Sequence, residues 1–205
     1  MSDIVIVGNG VAGDSAANVI SRADSEPDTV ILTSESHPFY QRTRLGEVLS
    51  GQSSPGDLLI HESDWYESRG MSLLLEERVT DLEPKKSQVI TDSGKIFPYD
   101  QILLATGAEP LLPPIDGLDK DNVFTLRTLK DVKTIKSRLE EVDKAAVIGG
   151  GLLGLESAYA LNQSDIDVKV VETLPAVMSK QLDAAGSHHV QSRLEKEGID
   201  FRLGA

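Results

Sequence analysis

The run IVIVGNGVAGDSAA (4–17) takes a short β-branched strand into glycines spaced G-x-G-x-x-G and on into helix-forming residues, and AAVIGGGLLGLESAYAL (145–161) does so again. This repeat constrains the fold more than any other feature. The first glycine of such a turn allows a tight bend, the second lets backbone approach a diphosphate, and the third lets helix and strand pack closely. The helix N-terminus then offers unpaired N–H groups and the positive end of its dipole. The first copy is Gly8, Gly10 and Gly13 around Val11 and Ala12, and the second is Gly149, Gly151 and Gly154 around Leu152 and Leu153. Each has an acid placed to accept ribose hydroxyls: Glu35 stands 22 residues after Gly13, and Glu172 stands 18 after Gly154. A lone glycine pattern can serve packing alone. Two copies, each with its strand, helix and distal acid, point to two dinucleotide sites. The charge of Glu172 favours NAD over NADP, since the following TLPAV offers no arginine to a 2′-phosphate. Asp14, just after the first turn, suits the helix dipole and is expected to face solvent.

Composition narrows the partners. A net charge of −13 over 205 residues argues against nucleic acid or an anionic membrane as main partner. The absence of cysteine excludes disulfides, thiolate metal sites and a cysteine redox relay within the chain. No apolar run reaches membrane-spanning length, and the chain enters DIVIV with no basic leader, so a cytoplasmic protein is expected. His37, His61, His188 and His189 stand in no metal-ligand pattern, and no triad-like constellation marks a catalytic side chain.

The remaining texture is β-α-β twice over. TVILTSE (29–35) reads as a strand, HESDWYESRG (61–70) as a short helix stopped by Gly70, and residues 72–107 as short strands with a hairpin turn at DSG (92–94). Trp65 and Tyr66 read as core or contact residues. Thr128 and Asp131 form a capping box, and Val132, Ile135, Leu139 and Val142 are expected to make one buried helical face. After the second glycine turn come DVKVVET, the helix-like DAAGSHHVQSRLEKEG and a last strand, IDFRLG. The expected architecture is α/β, with two Rossmann-like units over residues 1–115 and 116–205.

YDQILLATGAEP (99–110), a strand ending in Ala-Thr-Gly before a second glycine turn, resembles the pyridine-nucleotide-dependent flavoprotein reductases. GNGVAG, FYQRTRLGEVLSG, WYESRG, ERVTDL, FTLRTLKD and GGGLLGLESA are similar to the flavoprotein part of NADH-dependent nitrite reductase large subunits and to NADH:rubredoxin reductases. The resemblance implies an FAD domain followed by an NAD domain. It implies that Gly8, Gly10, Gly13 and Glu35 hold the ADP half of FAD, and that Arg42 lies near the flavin or its phosphates. Val79 would meet the adenine, Ala105, Thr106 and Gly107 would pass beside the cofactor, and Arg127 would lie near it. Gly149, Gly151, Leu153, Gly154 and Glu172 would cradle NAD(H), with Glu156 near the nicotinamide. Thr43 and Gly46 depart from the proline and serine common in that family, and the cysteine-dependent disulfide reductases are excluded.

Only 51 residues follow Gly154, which on this resemblance is an incomplete NAD domain and the N-terminal part of a longer reductase. The implied activity carries hydride from NADH to flavin, and then electrons to an acceptor protein or a downstream redox domain such as rubredoxin or a nitrite-reducing centre. Self-association or a partner chain is expected to cover exposed strand edges. The alternatives are half of a split reductase and a noncatalytic nucleotide-binding module.

Overall fold

The computed structural model describes residues 2–24 and 27–205. In chain order the regular elements are β1 (Ser2–Val7), α1 (Val11–Ile20), β2 (Thr29–Leu32), α2 (Leu45–Leu49), α3 (Ser63–Glu67), β3 (Met71–Leu74), β4 (Val79–Glu83), β5 (Gln88–Thr91) and β6 (Ile96–Leu104). They continue with α4 (Leu129–Leu139), β7 (Lys144–Ile148), α5 (Leu152–Asn162), β8 (Asp167–Glu172), α6 (Ala184–Lys196) and β9 (Asp200–Leu203). The chain forms two compact units, one of Met1–Gln41 with Leu59–Glu109, the other of Arg42–Leu58 with Pro110–Ala205.

In the first unit six strands form one sheet in the order β3-β2-β1-β6-β5-β4. The four strands from β3 to β6 run parallel, and β5 and β4 continue the sheet as an antiparallel meander. The central strands are covered on both faces, which is why they read as continuous apolar runs rather than alternating ones. Side-chain alternation sorts them into two cores: Val5, Val7, Val30 and Leu32 pack with Val89 and Tyr99, while Ile6 and Ile31 pack with Ala17, Tyr66 and Met71. The hairpin at DSG forms as expected, with Gly94 at φ 80° donating its N–H to the Thr91 carbonyl.

In the second unit β7, β8 and β9 make a parallel sheet in that order. Val168 and Val170 of β8 are buried with Leu155, Ala158, Val177 and Ile199. Residues 42–58 group here and not with their sequence neighbours. Lys136 on α4 donates to the Val48 carbonyl at 3.0 Å, and Ser164 donates to the Leu49 carbonyl at 3.5 Å.

The capping box at α4 is complete: the Asp131 N–H donates to Thr128 Oγ1 at 3.2 Å, and the Thr128 N–H donates to Asp131 Oδ2 at 2.8 Å. Thr128→Ala is expected to cost about 1 kcal/mol of stability, measured as a lower urea midpoint with an unchanged slope. The expected helical face is shorter than the spacing implied. The helix ends at Leu139, so Val142 lies beyond it and is 38% exposed rather than buried.

Candidate dinucleotide sites

The two glycine turns have the same geometry. Gly8 and Gly149 take φ +104° and +107°, a conformation in which a side chain is strained. A Cβ on Gly13 would lie 2.0 Å from the Gly8 carbonyl oxygen, and one on Gly154 would lie 2.1 Å from that of Gly149. The third glycine therefore lets each helix sit directly on its turn. Gly8 also presses on the backbone just after β6, where an added Cβ would meet the Ala105 oxygen at 2.2 Å. By contrast, nothing lies within 4 Å of a Cβ placed on Gly10 or Gly151.

Those two open positions are also the helix N-caps, and neither carries a side-chain cap. In α1 the first helical bond runs from the Asp14 N–H to the Gly10 carbonyl, and in α5 from Leu155 to Gly151. The N–H groups of Val11–Gly13 and Leu152–Gly154 therefore precede the intrahelical ladder. Unobstructed backbone, orphan donors and a positive dipole end suit an anionic diphosphate. Val11, Leu152 and Leu153 are exposed beside these turns.

The two distal acids are held differently. Glu35, beyond β2, accepts a hydrogen bond from the Tyr40 hydroxyl. Glu172, at the end of β8, turns back onto its own turn, accepting from the Gly150 N–H at 2.7 Å and the Leu174 N–H at 2.8 Å. The Leu174 bond is the largest influence and, with weaker ones from Gly150 and Thr173, holds the Glu172 carboxyl below the usual carboxylate range against the opposing effect of burial.

Around the first turn lie Ala105, Thr106 and Gly107, directly after β6, where the Ala105 N–H donates to the Val7 carbonyl. Val79 opens β4 and packs against the core of Val5 and Val7. Arg42 and Arg127 belong to the second unit, where Arg42 Nη1 donates to the Arg127 carbonyl at 3.0 Å. Arg42, Leu153 and Glu156 line one cleft of about 230 Å³ in that unit, together with Gly46, Leu126 and Ala160. No group of His, Asp and Glu among the described residues could hold a metal ion, and no described helix is long and apolar enough to cross a membrane.

Asp14 corrects the expectation of a solvent-facing acid. It is 6% exposed and does not face solvent. The Tyr66 hydroxyl donates to Asp14 Oδ1 at 3.2 Å, and His61 Nε2 stands 3.7 Å from the same oxygen. These groups come from 52 and 47 positions along the chain, so no local pattern announces them. Trp65 and Tyr66 are contact and core residues as expected, with Tyr66 fully buried. Sequence reasoning also missed the Glu35–Tyr40 bond, for which a tyrosine five positions after the acid was the available signal.

The sequence matches a pyridine nucleotide-disulphide oxidoreductase domain over residues 2–205. The chain belongs to that family. Members of this oxidoreductase family are FAD-containing and NAD(H)-dependent, in keeping with the two turns. The chain is 41% identical to a nitrite reductase [NAD(P)H] of Bacillus subtilis over 201 residues, 98% of this chain and 25% of that protein. It is 32% identical to an NADH-rubredoxin oxidoreductase of Clostridium acetobutylicum over 197 residues, 96% of this chain and 51% of the relative. The crystal structure of the NADH:rubredoxin oxidoreductase from the same organism matches with a TM-score of 0.86 at 29% identity, covering 100% of this chain and 53% of that one. The chain thus spans between a quarter and a half of the length of these relatives. Within the family, disulphide chemistry is not available to these 205 residues, which include no cysteine.

Proposed function

We propose that this chain is the nucleotide-handling part of an FAD-dependent NADH oxidoreductase that delivers electrons to a protein or metal-centre acceptor. When bound, the two cofactors supply hydride transfer from NADH to flavin and the onward release of electrons, to an acceptor such as rubredoxin or a nitrite-reducing centre. The residues of the chain bind, orient and shield. The N–H groups of Val11, Ala12 and Gly13 face the FAD diphosphate over Gly10, with Gly8 making the bend. Glu35 takes the ribose of the adenosine half, and Val79 and the Ala105–Gly107 segment border the cofactor. Gly149, Gly151, Leu152, Leu153 and Gly154 repeat this arrangement for NAD(H), with Glu172 on the ribose. Arg42, Arg127 and Glu156, all in the second unit, are the further polar groups assigned to cofactor binding there.

The observation that carries this reading is the duplicated turn, alike in glycine φ, in third-glycine contact and in open space over the second glycine. Chemistry that resides in the cofactors asks of the chain only that it bind, orient and shield them. The test is an anaerobic NADH titration of the 205-residue chain loaded with FAD, followed by flavin absorbance. Glu35→Ala is expected to weaken FAD by about tenfold and Glu172→Ala to weaken NADH by a similar factor, each sparing the other ligand. If both variants kept wild-type affinity for both ligands, the two-site assignment would fall.

A further inference from the structure

A buried polar cluster lies directly beneath the first glycine turn. Asn9, between Gly8 and Gly10, is buried, and its Nδ2 donates to the Tyr66 hydroxyl at 3.1 Å. That hydroxyl in turn donates to Asp14 Oδ1 at 3.2 Å, in the first turn of α1. A side chain from α3 therefore ties the turn to the helix on which the turn rests. His61 completes the cluster: its ring stacks on Trp65 at 3.9 Å and 9°, and its buried Nε2 finds no hydrogen-bond partner among the described residues. At 3.7 Å from Asp14 this nitrogen is too far for a good hydrogen bond.

We propose that Tyr66 is a positioning residue for the first dinucleotide site, tethering Asn9 of the turn to Asp14 of the helix, and that the Asp14 carboxyl sets the charge felt by the bound diphosphate. The proposal rests on the assignment of FAD to this turn. A buried polar group that loses its partner pays the cost of desolvation, so a phenol bridging two such groups confines both. Ionised Asp14 opposes an anionic ligand at the turn, whereas a proton on Asp14 relieves that opposition. That protonation favours FAD as pH falls, and its loss disfavours FAD as pH rises. The groups facing Asp14 are Tyr66 from α3 and His61 from the segment before it; α1 has no other charged residue, and Arg69 meets the Trp65 ring. Burial pushes the Asp14 carboxyl up from its ordinary range, against the opposing influence of His61 and Tyr66. Burial likewise pushes the Tyr66 phenol up to about 12, so it stays protonated as a donor.

The test is FAD binding, by quenching of flavin fluorescence, to the wild-type chain, Tyr66→Phe and Asp14→Asn between about pH 5 and pH 8. NADH binding serves as a second readout. Tyr66→Phe is expected to raise the FAD dissociation constant about fivefold at neutral pH and to leave NADH affinity unchanged. Asp14→Asn keeps an acceptor for the phenol, so it binds FAD at least as tightly as wild type and gains less affinity as pH falls. Tyr66→Phe with wild-type FAD affinity overturns the proposal, as does equal weakening of FAD and NADH, or Asp14→Asn with the wild-type pH profile. A wild-type chain that binds no FAD overturns both the proposal and the assignment beneath it, and is distinguished by that result.

Discussion

Gly13→Ala is expected to abolish FAD binding and to remove about 3 kcal/mol of stability from the first unit, and Gly154→Ala to do the same to NADH binding and the second unit. In each case the new methyl would sit about 2 Å from the carbonyl oxygen of the first glycine, 2.0 Å at Gly13 and 2.1 Å at Gly154. The obstacle is backbone, so no rotamer change relieves it, and the helix must move off the turn. That movement swings the N–H groups of the helix away from the diphosphate and opens the packing of Ile6 or Val147, the next nearest side chains. Gly10→Ala is the control. Its backbone, at φ −87° and ψ −164°, accepts alanine, and nothing lies within 4 Å of the added methyl. It should fold with near-normal stability yet bind FAD weakly, because the methyl occupies the approach of the ligand. Urea unfolding with parallel FAD and NADH titrations separates the three variants. Wild-type stability and FAD affinity in Gly13→Ala would show that the helix does not rest on the turn.

Tyr66→Ala should cost about 4 kcal/mol in unfolding free energy, far more than Tyr66→Phe. The ring is fully buried among Ile6, Ala17, Ile31 and Met71. It also meets Trp65 edge-on at a centroid distance of 4.9 Å and His61 at 6.2 Å. Truncation leaves a cavity against the central strands and strands the polar atoms of Asn9 and Asp14 without their phenol. The two variants thus divide the residue into a packing part, read in the urea midpoint, and a hydroxyl part, read in FAD affinity. A loss below about 1 kcal/mol for Tyr66→Ala would mean that the first unit does not depend on α3 for its core.

Much of the molecule is legible in its amino-acid sequence, because the signals are local. β-branched runs ending in glycine form β1 and β7, and each G-x-G-x-x-G forms a turn with a positive-φ first residue and a helix seated on the third. Asp-Ser-Gly makes a hairpin, and Thr128 with Asp131 a capping box, since in each the interacting groups are within a few residues of one another. Even the end of α4 is blurred by only one turn, where Val142 continues the apolar spacing after the helix has stopped.

What depends on partners far along the chain is not legible in this way. Asp14 reads as an exposed helix-start acid, and only Tyr66 and His61, brought over from α3 and its approach, bury it. Residues 42–58 fall by sequence within the first expected unit, 1–115, yet α2 is held in the second by bonds from Lys136 and Ser164. The same packing brings Arg42 into one cleft with Leu153 and Glu156. Sequence alone thus determined where the backbone turns and which glycines must be glycine, because steric limits on φ and Cβ act between near neighbours. Tertiary structure decided which charges are buried and which side chains share a cleft, because desolvation and packing depend on whatever the rest of the chain lays over a residue.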